Sequence, residues 1–172
     1  MSDPADAQRA AADPNVSAWV AANAGSGKTR VLTERVARLL LEGARPERII
    51  CLTYTKAAAA EMQNRLFGTL GEWAMMDDAP LRKALLALTG HVFEETSSHP
   101  GAPQRSLADA RRLFAMALET PGGLKIQTIH AFCDSLLRRF PLEAGAPPEF
   151  RVMDDREKTA LVDRLLNKMA GD

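Results

Sequence analysis

The run Ala22-Asn23-Ala24-Gly25-Ser26-Gly27-Lys28-Thr29 has the residue types and order of a phosphate-binding loop of the Walker A kind, with alanine in place of the first glycine. Small residues let the backbone wrap a β-phosphate while successive N–H groups point inward. A helix beginning at Gly27 would add the positive end of its dipole. Lys28 would reach the β- and γ-phosphates, and the Thr29 hydroxyl would ligate Mg²⁺. These two are the catalytic candidates. Arg30 follows directly and is counted with the loop among the nucleotide-binding residues. The plain alternative is a Gly/Ser turn with a surface lysine. The context disfavours it, because an apolar run precedes the loop and a helical pattern follows. Alone, the loop implies nucleoside triphosphate binding, a property of kinases, GTPases and motors alike.

The elements that must hold this loop follow from apolar periodicity. Ser17 to Ala22 is a short apolar run expected to be a buried strand. Lys28 to Leu41 carries Leu32, Val36, Leu39 and Leu40 at helical spacing, and Gly43 and Pro46 should end that helix. Ile49 to Thr53 is expected to be a second buried strand and Ala57 to Phe67 a second helix. Between Gly68 and Gly123 lie two helical patterns, Leu81, Leu85, Leu88, Val92 and Leu107, Ala110, Phe114, Ala117, separated by the polar turn Ser97 to Gly101. They are expected to form an inserted helical hairpin. Leu124 to Thr128 is a third strand. Ile129 to Phe140 is a helix stopped by Pro141, and Pro147 and Pro148 mark a linker. A last helix carries Leu161, Val162, Leu165, Leu166 and Met169 on one face. Strand–helix–strand–helix, then strand–helix, implies an α/β fold with a parallel sheet. Three strands make that sheet incomplete, so the fold is expected to continue beyond Asp172.

Three features around the loop resemble the UvrD- and Rep-type superfamily 1 DNA helicases. Gln8 lies 20 residues before Lys28, where that family's glutamine reads the adenine edge. Thr53-Tyr54-Thr55-Lys56-Ala57-Ala58-Ala59-Ala60-Glu61-Met62 is similar to its motif Ia, at a strand end where open α/β sheets place ligands. The resemblance implies that Tyr54 meets a DNA base, with Thr55 and the following backbone on phosphate. The family pattern has Asn then Lys where this chain has Lys56 then Ala57, so the cation stands one position early. Thr128-Ile129-His130-Ala131-Phe132-Cys133 is similar to motif Ib. It implies DNA-binding roles for Thr128, His130 and Phe132. Arg138 and Arg139 extend a basic path or form a solvated helix face.

The run Ser17 to Thr29, the run Leu52 to Met62 and the run Leu118 to Phe132 resemble more closely the AddA-type helicase–nuclease subunit of bacteria. So does the long helical insert. The resemblance covers nearly the whole chain. It implies a P-loop NTPase (RecA-like) sheet at residues 1–68 and 124–145, an insertion at 69–123, and the start of a helical accessory subdomain at 146–172. It further implies ATP and Mg²⁺, single-stranded and duplex-end DNA, an AddB-type nuclease partner, and double-strand-break repair by recombination. Helicase polarity, 3′–5′, and exonuclease activity come from the resemblance only.

A working motor also needs an Asp-Glu pair for Mg²⁺ and water, and an arginine from a second RecA-like domain. Neither is found. Phe150 to Asp155 imitates the acidic motif, but Arg151 breaks its apolar run and a polar helix follows. The chain is therefore expected to be an N-terminal piece of a larger enzyme, inactive alone. The alternatives are a truncated, non-catalytic ATP- or DNA-binding module and a different P-loop enzyme. At 172 residues and formal net charge zero, the composition suits one compact domain and shows no global nucleic-acid signature. Cys51 and Cys133 lie in apolar runs and are expected to be small buried hydrophobes. No stretch is apolar and long enough to span a membrane, and no signal-peptide core is present, which suits a cytoplasmic protein.

Overall fold

A computed structural model describes residues 4–21, 23, 25, 27–94, 106–147 and 149–170. The chain divides into two compact units, residues 1–128 and 129–172.

The first unit runs α1 (Pro4–Ala11), α2 (Lys28–Leu41), a 3-10 turn (Pro46–Arg48), β1 (Ile50–Thr53), α3 (Lys56–Met75), α4 (Asp78–Thr89), α5 (Leu107–Leu118) and β2 (Lys125–Thr128). Helix α2 follows its expected bounds. Val36, Ala37, Leu40 and Leu41 are buried at helical spacing. Gly43 stops it with a positive φ of 86°, and the Ala44 N–H donates back to the Leu39 carbonyl at 2.9 Å.

Helix α3 is longer than expected. It runs through Gly68 and Gly71, each of which costs a helix about 1 kcal/mol relative to alanine. Its apolar stripe does not stop at Phe67 but continues through Leu66, Leu70 and Trp73, all buried. Phe114 of α5 lies beside Gly71 and meets Phe67 edge-on, with ring centroids 6.2 Å apart. Tertiary packing outweighs the local cost of the glycines. Arg111 of α5 closes the α3–α4 corner by donating to the Met76 carbonyl at 2.9 Å and to Asp78 at 2.5 Å.

Helix α4 ends one turn earlier than the apolar pattern suggests, at left-handed Gly90, which leaves Val92 exposed and Phe93 buried. Helix α5 begins at Ser106, whose hydroxyl accepts from the Asp109 N–H at 3.0 Å. The expected turn at Ser97 to Gly101 lies outside the described residues. One core unites α2, α3, α4, α5 and the sheet, with Leu40, Leu66, Leu70, Leu81 and Leu85 fully buried.

Among the described residues the sheet has two parallel strands rather than three. Ile50, Cys51, Leu52 and Thr53 stand opposite Lys125, Ile126, Gln127 and Thr128. Cys51 and Ile126 join the core. Ile50 and Leu52, on the alternate face, are exposed, so β1 is covered on one side only. The run from Ser17 is not a strand over Ser17 to Ala21. It pairs with neither strand, and Trp19 is 96% exposed. Ala22 lies outside the described residues. An apolar run becomes a strand only where a ladder partner lies alongside. Here the preceding backbone is held instead by Arg35, which donates to the carbonyls of Ala11, Asp13 and Val16 at 3.0, 2.5 and 2.6 Å.

The second unit contains α6 (Ile129–Arg139) and α7 (Asp155–Ala170), and neither has a buried residue. Cys133 is exposed, contrary to expectation, on a helix that buries no residue. Cys51 is half-buried, and burial raises its thiol pKa. Residues 150–154 form no strand. Asp154 caps α7, accepting from the Glu157 N–H at 2.7 Å, while Glu157 accepts from the Asp154 N–H at 3.2 Å. Arg151 pairs with the same Glu157 at 2.5 Å. The acidic pair Asp154–Asp155 thus starts a helix. No described helix is long and apolar enough to cross a membrane.

Candidate nucleotide and nucleic-acid sites

The phosphate loop meets the first turn of α2 at Gly27, which adopts φ 86°, and Gly25 adopts φ 80°. A side chain at either position would be strained, since left-handed backbone costs an L-residue roughly 1–2 kcal/mol. Ala22, Ala24 and Ser26 lie outside the described residues. The Lys28 ammonium donates to the Asn23 carbonyl at 2.6 Å, so it already crosses the mouth of the loop. Thr29 is half-buried in the first turn, and its carbonyl accepts from the Thr33 hydroxyl at 2.8 Å. Arg30 is exposed and held by Glu34 at 2.7 Å. That hydrogen bond and its charge raise the guanidinium pKa further.

Gln8 projects from α1. Its Nε2 lies 3.6 Å from where a Cβ on Gly27 would sit, so the amide is against the loop. Two arginines of α2 fix that placement. Arg38 donates to the Arg9 carbonyl at 3.2 Å, and Arg35 holds the backbone just after α1. Neither was a candidate from the sequence. Their spacing of three on α2 puts them on one face, but nothing in residue type marked what that face would hold.

At the other candidate site, Thr53 and Thr128 end β1 and β2 in register. The Thr53 hydroxyl donates to the Thr55 carbonyl at 2.9 Å, and the Thr55 hydroxyl accepts from the Ala58 N–H at 3.1 Å, capping α3. Helix geometry leaves first-turn N–H groups without intrahelical acceptors, and α3 is 20 residues long. Tyr54 is 87% exposed and Lys56 is exposed beside it. An open aromatic ring, a lysine and a helix N-terminus therefore share one corner. Such a corner can stack a base and hold a phosphate.

Thr128 is buried, with 8% exposure, on the face that joins the core. His130 and Phe132 belong to the second unit, where His130 is exposed and Phe132 half-buried on α6. The first unit thus assembles Gln8, Gly25, Gly27, Lys28, Thr29 and Arg30 at one site and Tyr54, Thr55 and Lys56 at another. Among the described residues no group of three His, Cys, Asp or Glu side chains could hold a metal ion. A divalent cation here would take its oxygens from Thr29 and from bound phosphates, the usual manner for Mg²⁺.

A family model for the UvrD/REP helicase N-terminal domain matches residues 4–171. The chain is 37% identical over 152 residues to an ATP-dependent helicase/nuclease subunit of Desulforudis audaxviator (strain MP104C), covering 87% of this chain and 10% of that protein. The corresponding helicase/nuclease proteins of Bacillus pumilus (strain SAFR-032) and Pediococcus pentosaceus are 33% identical over 156 residues and 32% over 143. Those matches cover 89% and 83% of this chain and 10% and 9% of the relatives. The chain spans about a tenth of the length of these relatives.

Proposed function

The chain belongs to the UvrD/REP helicase N-terminal domain family, and from that premise we propose that it is the ATP-binding N-terminal part of an ATP-dependent 3′–5′ DNA helicase and exonuclease of the AddA type. Its work is DNA end resection in double-strand-break repair by recombination, in the cytoplasm, with an AddB-type nuclease partner. The observation that carries this reading is Gln8 held against a Walker A loop whose lysine already spans the loop mouth.

The assigned roles follow from position. Backbone N–H groups of residues 22–29 cradle the β-phosphate, and Lys28 exchanges the Asn23 carbonyl for the β- and γ-phosphates. Thr29 would ligate Mg²⁺, which would neutralise phosphate charge. Gln8 meets the adenine edge with one donor and one acceptor. Tyr54 stacks on a base of the single strand, and Thr55, Lys56 and the first turn of α3 hold its phosphates. His130 and Phe132 add a second grip, with Thr128 at the strand end before it.

In the whole protein, a second RecA-like domain closes on ATP, and these residues hold DNA differently in the open and closed states. Residues 1–68 and 124–145 form the RecA-like part, 69–123 an insertion and 146–172 the start of an accessory subdomain. This chain holds no acidic Mg²⁺ motif and no arginine from a second domain. It therefore binds ATP weakly and does not turn it over. Steady-state ATPase assays with and without single-stranded DNA test this. The expected rate matches the buffer blank, whereas DNA-stimulated multiple turnover would overturn the reading.

A further inference from the structure

Tyr54 stands open at the end of β1, with 87% of its surface exposed, so packing does little to hold its ring. Its direction is set by the backbone on either side. Thr53, before it, is the last residue of β1 and pairs in register with Thr128 of β2. Thr55, after it, is fixed from α3. Its hydroxyl accepts from the Ala58 N–H at 3.1 Å, and its carbonyl accepts from the Ala59 N–H at 3.1 Å. One more bond closes the corner across Tyr54, where the half-buried Thr53 side chain donates its hydroxyl to that same Thr55 carbonyl at 2.9 Å. Short hydroxyl side chains make such local bonds to backbone and shape turns with them.

We infer that Thr53 is a positioning residue for single-strand binding, whose hydroxyl ties the strand to the helix start across Tyr54 and so presents the ring before DNA arrives. The inference rests on the stacking reading above. An open ring on a loose corner has to be ordered as a base stacks on it, and that ordering subtracts from affinity. A corner fixed beforehand avoids the loss. Thr53 acts without touching DNA, because its hydroxyl proton is spent on the Thr55 carbonyl. Thr55 differs, since its oxygen accepts from Ala58 and that bond leaves its own proton for a phosphate.

The test is a double-mutant cycle. A labelled oligothymidylate strand is titrated into the 172-residue chain and into Thr53→Val, Thr53→Ser, Tyr54→Ala and the Thr53→Val/Tyr54→Ala pair. Mg-ATP titrations and thermal melts run alongside. Valine keeps the shape and suits a strand but lacks the hydroxyl. Thr53→Val is expected to weaken the strand about two- to tenfold, the size of one net hydrogen bond, with ATP affinity unchanged. Thr53→Ser restores binding. Added to Tyr54→Ala, Thr53→Val costs nothing further, since a role exercised through the ring vanishes with the ring. Tyr54 is the chain's single tyrosine, so isotopic labelling of tyrosine nitrogen reports its amide alone. The order parameter of that amide, without DNA, should fall in Thr53→Val and recover in Thr53→Ser. If Thr53→Val melts early, Thr53→Ala takes its place in the cycle. Wild-type affinity in Thr53→Val overturns the inference and leaves the stacking reading standing. A fully additive loss in the pair also overturns it, because it marks a direct contact. Wild-type affinity in Tyr54→Ala overturns the stacking reading, and the inference falls with it.

Discussion

Residues 1–128 enclose Leu40, Leu66, Leu70, Leu81 and Leu85 completely, whereas neither helix of residues 129–172 buries a side chain. Both regions carry amphipathic helices of similar quality on paper. In the first, the apolar stripes of α2, α3, α4 and α5 face one another. In the second, Leu161, Leu165, Leu166 and Met169 of α7 stay exposed. A helical stripe is a requirement for burial and does not itself create a core, since most helix stability comes from what the stripe packs on. The nucleotide candidates and the Tyr54 corner all lie in the region that has its own core.

The sharpest way to break this contrast is to delete the same side chain in both regions. Leu66→Ala is expected to cost about 2–5 kcal/mol through lost burial and a residual cavity. Leu165→Ala, at an exposed position, should cost less than about 0.5 kcal/mol. Urea denaturation of both variants measures the difference, and equal losses would mean that residues 129–172 pack as tightly as the rest.

Next in size is Tyr54→Ala. Loss of one stacked base should weaken single-stranded DNA binding by about 1–3 kcal/mol without changing ATP affinity. A salt titration sharpens the point, because each phosphate contact contributes a log–log slope of roughly −0.7 for a single strand. A kinase-like P-loop enzyme would show neither effect.

The smallest effects belong to the start of α7. Asp154→Ala should cost that helix about 1 kcal/mol, read by circular dichroism. Glu157 has its pKa lowered by the Arg151 hydrogen bond first and the Asp154 N–H second. A depressed carboxylate stabilises above its unfolded pKa, and that help is lost as pH falls through the lower folded value. Helicity of residues 155–170 should therefore decline only below the ordinary glutamate range, and Arg151→Ala should move that decline upward in pH.

The sequence made much of this legible and missed what depends on neighbours. The bounds of α2, the strand before Tyr54 and the strand before Ile129 follow from local pattern and glycine punctuation. The Ser17 run misled because its apolar residues say nothing about which strand lies alongside. Helix α3 ran past two glycines because Leu70, Trp73 and Phe114 supply packing that propensity ignores. Cys133 sits in an apolar run yet is exposed, since an apolar run does not say which of its residues faces solvent. At the candidate site, loop and tyrosine were visible as motifs. Arg35 and Arg38 were not, because their partners are backbone carbonyls of α1 and the segment after it, distant in sequence.

The central claim is that Gln8, the glycine loop and Lys28 form a working nucleotide site within residues 1–128. Titrating the 172-residue chain and its Lys28→Ala variant with Mg-ATP, followed by the fluorescence of its two tryptophans, tests it most directly. Hydrogen bonds to charged groups are worth about 1.5–3 kcal/mol, so the variant is expected to bind at least about tenfold more weakly with an unchanged melting temperature. Equal affinity in the two proteins would contradict the account.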